Sequence, residues 1–169
     1  MAAFLGAHGY DPGPTQRPLL AGAIAGLLAT GPAIGLLQAF GSLEVEARIL
    51  GTSIVATIGA GWIVMAIAGA AYARLFGRAG NDVRGGWLFG MALGFVVWAA
   101  GAVLILPLVS GGLAPAGHAA LGVFLSLALW GGVLGAILPF VHRPLHKTIE
   151  TEAKRSTSGP SGRLPRAKR

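Results

Sequence analysis

Apolar residues run through this chain in long unbroken stretches. No Asp, Glu, Lys or Arg falls between Arg17 and Glu44, between Arg48 and Arg74, or between Arg84 and Arg143. Each gap exceeds the roughly 20 apolar residues that carry a helix across a bilayer, and the third holds two such lengths. The pattern predicts an all-α, polytopic membrane protein: four transmembrane helices in a bundle, at about 19–40, 49–73, 85–109 and 118–141. Residues 1–18 read as a flexible leader, because Pro12, Pro14 and Pro18 favour turns or extended chain. The leader lacks the basic start and long apolar run of a cleaved signal peptide. Residues 142–169 read as a basic, largely disordered cytoplasmic tail. Thr30, Gly31 and Pro32 predict a kink inside the first span.

Between the spans lie three short connections. "GSLEVEAR" reads as a solvated loop with Glu44, Glu46 and Arg48. "RLFGRAGNDVR" is basic, and "SGGLAPAG" carries no charge. Twelve of the 13 Lys and Arg residues fall in the leader, the second connection and the tail. The positive-inside rule therefore predicts that both termini are cytoplasmic, in a bacterial-type inner membrane.

Glycine adds a second pattern. Gly86, Gly90 and Gly94 repeat every fourth residue in the third span, and Gly22 with Gly26 do so in the first. Gly61 and Gly69 share a stripe in the second, and Gly131 with Gly135 recur in the fourth. Lipid tails are as apolar as leucine, so helices in a membrane associate through close packing, which small residues permit. These nine glycines are the expected helix-packing positions, some inside the bundle and some facing other subunits. Trp87 and Tyr72 suit interfacial belts, whereas Trp62, Trp98 and Trp130 lie deeper. The second and fourth spans each place a Trp mid-span and an Arg at the exit; duplication of a two-helix unit, or the common habits of membrane helices, would produce this.

Candidate chemistry is sparse. There is no cysteine, which excludes disulfides and thiolate sites. No ionisable side chain is expected near the midplane, where proton relays and coupled carriers keep theirs. The polar side chains within the spans are Thr30, Gln38, Thr52, Ser53, Thr57 and Ser126. No catalytic residues and no intrinsic metal site are expected, and the chain reads as a non-enzyme. His118 opens the fourth span, where it either anchors the helix or ligates a haem or pigment metal. His142 and His146 are four apart, but Pro144 lies between them and Arg143 and Lys147 flank them. Arg74, Arg78, Arg84, Arg143 and Lys147 match anionic phospholipid headgroups, with no nucleic acid expected.

Two stretches carry a resemblance: "RGGWLFGMALGFVVWAAGAVLILPL" at 84–108 and "GHAALGVFLSLALWGGVLGAILP" at 117–139. They resemble a loose class of small four-helix inner-membrane proteins of bacteria and archaea. The match rests on an arginine and glycines opening the third span, a mid-span Trp, a following Pro, His118 and Pro139. The class's second-span histidine is missing from "GWIVMAIAG". The resemblance implies a fold and no activity.

These readings lead to a non-catalytic accessory subunit of a larger membrane complex, with a respiratory or photosynthetic electron-transfer assembly as the expected host. Its partners would be other integral membrane subunits, and its cofactors bound lipid, pigment or haem. The alternative is a small transporter or channel for an uncharged or lipid-like substrate, on a path lined by Thr52, Ser53, Thr57 and Ser126.

Overall fold

A computed structural model describes residues 17–80 and 82–157. The leader at 1–16 and the end of the tail at 158–169 lie outside the described residues. Among the described residues the chain is all helix, with no strand. Helix α1 spans Pro18–Ala39, α2 Ser42–Leu50 and α3 Ile54–Gly80. Helix α4 spans Gly86–Trp98 and continues through a π-helical segment, Ala99–Ile105, into α5, Leu106–Val109. Helix α6 spans Gly117–Thr157. Four stretches, 18–39, 54–77, 86–109 and 117–142, are long and apolar enough to cross a membrane. Many large apolar side chains are exposed, such as Val55, Ile63, Leu75, Leu104 and Leu108. A surface of this kind marks a membrane or partner contact, not a monomer in water.

Glycine seams join the crossings in antiparallel pairs. Gly22 and Gly26 of α1 abut Gly69 and Met65 of α3, where a Cβ on Gly22 would fall on the Gly69 carbonyl. Gly86, Gly90 and Gly94 of α4 abut Gly135, Gly131 and Leu127 of α6 in the same manner. Between the two pairs, α1 packs on α6. Ala21, Ala25, Ala29 and Ala33 line one side of that contact, and Trp130, Leu134 and Leu138 are fully buried in the same core. The Trp130 Nε1–H donates to the Gly26 carbonyl at 3.1 Å, and the Thr30 hydroxyl donates to the same oxygen at 2.8 Å. A buried indole finds a partner because an unpaired N–H in an apolar interior is costly.

Helix α3 and the third crossing touch mainly where the basic connection joins them. Gly77, at φ 46°, breaks α3 there. The Tyr72 hydroxyl donates to the Gly86 carbonyl at 2.7 Å, and the rings of Phe76 and Phe89 lie 5.9 Å apart. Tyr72 is fully buried, so it is a tie between helices and not a member of an interfacial belt.

Three elements differ from the sequence reading. "GSLEVEAR" belongs to a helix, α2. Gly41 (φ 64°) turns the chain into it, and Gly51 (φ 64°) ends it while the Thr52 N–H reaches the Ala47 carbonyl at 2.9 Å. The third crossing is not uniformly α-helical. Pro107 has no N–H for the Val103 carbonyl and crowds it, and the Leu106 N–H bonds to the Gly101 carbonyl, five residues back. Finally, α6 runs to Thr157, through residues assigned above to the tail. Helix α1 is a single helix through Pro32.

Candidate functional site

The end of the molecule away from the basic connection is held by α2. The Ser42 hydroxyl donates to the Ala119 carbonyl at 2.9 Å, which fixes the start of α2 against the start of α6. Leu43 and Ala47 are buried. Leu43, Glu46, Ala47 and Leu50 follow the i, i+3, i+4, i+7 spacing of one helix face. Glu46 therefore occupies the apolar face of an amphipathic helix.

Behind that face lies a cavity of about 300 Å³. Its walls come from every crossing: Ala33, Ile34 and Leu37 of α1, Ile58, Gly61 and Met65 of α3, Val97 of α4, Gly101 and Ala102 of the π-helical segment, and Val123 and Leu127 of α6. Leu43, Glu46 and Leu50 of α2 close one side. The cavity sits in the half of the molecule where α3 and the third crossing are no longer tied by Tyr72, Phe76 and Phe89. Its volume falls at the lower edge of small-molecule pockets, roughly 300–1,000 Å³.

The few polar groups on its wall are specific in kind. Thr30, Thr57 and Ser126 line it. Thr30 donates to the Gly26 carbonyl at 2.8 Å and Ser126 to the Gly122 carbonyl at 2.7 Å. The Thr57 hydroxyl lies 3.1 Å from the Ser53 carbonyl and 2.9 Å from the Thr52 hydroxyl, a set satisfied when Thr52 donates to Thr57 and Thr57 to Ser53. Each hydroxyl thus spends its proton on the protein and can act toward a guest only as an acceptor. Among the described residues, Glu46 is the one ionisable member of the lining. Burial pushes its carboxyl above the usual carboxylate range.

The predicted site residues fall into separate groups. Gly22, Gly26, Gly69, Gly86, Gly90, Gly94, Gly131 and Gly135 are all consumed in the two internal seams. Gly61 is not; a Cβ there meets nothing within 4 Å, and the residue lines the cavity. Its missing side chain makes space where the other glycines make contact. His118 is exposed, with its ring edge-on to Phe40 at 5.4 Å, and it stands outside the cavity wall. Arg74 and Arg84 are exposed near the basic connection. The side chains of Arg78, Arg143 and Lys147 lie outside the described residues. Of the hydroxyls named for a substrate path, Thr57 and Ser126 line the cavity, while Thr52 acts through Thr57 and Ser53 caps α3 by accepting from the Ala56 N–H at 3.2 Å.

Sequence reasoning missed Glu46. The signal was present: a carboxylate at the fourth position of an L-x-x-E-A-x-x-L face, read as a solvated loop because Glu44 and Arg48 stand beside it.

No protein-family model, curated protein or solved structure matches the chain.

Proposed function

We propose that this chain is a multi-pass protein of a bacterial-type inner membrane, a four-helix bundle with both termini cytoplasmic, that binds a lipid-like molecule without chemistry and acts as its carrier. The carrying observation is the cavity, walled by all four crossings and almost wholly apolar. An apolar space that opens toward the bilayer suits an apolar chain entering from it. The gap between α3 and the third crossing is the natural entrance, since those two helices bury least of their apolar length.

A photoactivatable fatty-acyl probe tests the reading. Labelling should fall on peptides bearing Gly61, Met65 or Leu127. Gly61→Leu fills the space and should cut the yield several-fold while leaving unfolding unchanged or raised by about 0.5–2 kcal/mol. Gly31→Leu, where a side chain meets nothing within 4 Å outside the cavity wall, should not. Equal labelling of both variants would remove the cavity from consideration.

A second reading, an accessory subunit of a larger complex, is favoured by one observation. Gly31 and Gly35 keep the close-packing spacing on α1 yet are exposed, with open space where a Cβ would stand. Gly35→Leu should then release chains that co-purify in mild detergent, and an unchanged set of co-purifying chains would dismiss it.

A further inference from the structure

Three features bear on what the cavity holds, and all have the same sign. The first is Glu46, set by α2 on the apolar wall beside Leu43 and Leu50. The second is the set of hydroxyls of Thr30, Thr57 and Ser126, whose protons are committed to backbone carbonyls or neighbouring oxygens. The third is Glu44, which lies on the same short helix outside the cavity wall and adds negative charge to that end of the molecule. Its Oε1 accepts from Gln38 Nε2 at 3.3 Å, and its Oε2 is buried with no hydrogen-bond partner. The cavity end of the molecule thus offers acceptors and negative charge. Arg48, the one cation of α2, is exposed and forms no part of the wall.

Resting on the cavity reading above, we propose that the site takes a single-chain amphiphile with an ammonium head, the Glu46 carboxylate receiving the head and the apolar wall receiving the chain. A partly buried carboxylate gains most from a partner that brings both positive charge and N–H donors. A carboxylate head, or a phosphate head without an ammonium group, would be repelled. An alcohol would supply one neutral hydrogen bond and leave the charge of Glu46 unmatched. The apolar lining, which includes Leu43, Met65 and Leu127, and the volume of about 300 Å³ suit one apolar chain.

The test compares dodecylamine, dodecanol and dodecanoic acid on the full chain in maltoside micelles above neutral pH, read by native mass spectrometry. Dodecylamine should bind about tenfold more tightly than dodecanol, the margin of a charge-assisted over a neutral hydrogen bond, and dodecanoic acid most weakly. Glu46→Gln should erase the amine's advantage while dodecanol binding persists, which also reports that the variant is folded. Equal binding of all three by the unaltered chain would overturn the head assignment and leave the cavity reading standing. An amine preference that survives in Glu46→Gln would overturn the role of Glu46. Failure of all three to bind would overturn the cavity reading itself. Adding lysophosphatidylethanolamine, which has one chain, to the micelles separates two sources of the same chemistry: competition assigns the ammonium heads of membrane lipids, and its absence assigns a free amine.

Discussion

Replacing Gly90 with leucine is expected to lower the unfolding free energy by about 3 kcal/mol or more, the upper end of what overpacking costs. The reason is the nature of the obstacle. A Cβ at Gly90 falls on the Gly131 carbonyl and within 3.0 Å of the Gly135 nitrogen. Both are backbone atoms of a regular helix, so no rotamer change can clear them. The seam must open, and Gly86 and Gly94 lose their contacts with it. Gly90→Ala should show most of the same loss, because the first carbon already collides. Gly59→Leu is the matching control, since its Cβ meets nothing within 4 Å. Unfolding in mixed detergent micelles, followed by tryptophan fluorescence, measures all three. A Gly90→Leu chain as stable as the Gly59→Leu chain would show that α4 and α6 are not joined along this line.

Trp130→Ala is the second large effect, expected at about 3–5 kcal/mol. Trp130 is fully buried where α1 meets α6, so truncation leaves a void that the neighbouring Ala21, Ala25 and Ala29 are too small to fill. The hydrogen bond to Gly26 contributes less. That carbonyl also accepts from Thr30 at 2.8 Å, so losing the indole does not orphan it. Trp130→Phe, which keeps much of the volume and drops the donor, should therefore cost only about 1–1.5 kcal/mol. If the phenylalanine variant loses as much as the alanine variant, the hydrogen bond and not the packing holds this contact.

The reach of the sequence differs by element. The crossings are legible because charge is excluded from lipid, and three charge-free gaps leave little freedom in where the spans lie. The packing glycines are legible as a class for the same kind of reason: Gly90 and Gly131 both stand in four-residue repeats, and only close approach explains such repeats inside a helix. Which glycine meets which is not legible, because spacing carries no partner information. Gly61 shows the limit. It shares a helix stripe with Gly69, eight residues on, yet it stands where the helices part. Helix α2 was hidden by its length and by charges that resemble a loop, although Leu43, Ala47 and Leu50 already traced an apolar face. The π-helical segment was hidden because Pro107 predicts a disturbance without its form; the chain responds by widening several turns before the proline. The cavity follows from both omissions. It exists only where a short helix and a widened crossing leave four spans unable to close, and no local pattern encodes that.

Each glycine seam links crossings from the same half of the chain, α1 with α3 and α4 with α6, while the Trp130–Gly26 contact spans 104 residues. A growing polypeptide can thus complete its first hairpin while the rest is still on the ribosome. The second hairpin can form by itself as it leaves the insertion machinery. Biogenesis then ends in one docking event between two finished halves, and separately expressed fragments cut in the basic connection have what they need to find each other in the bilayer.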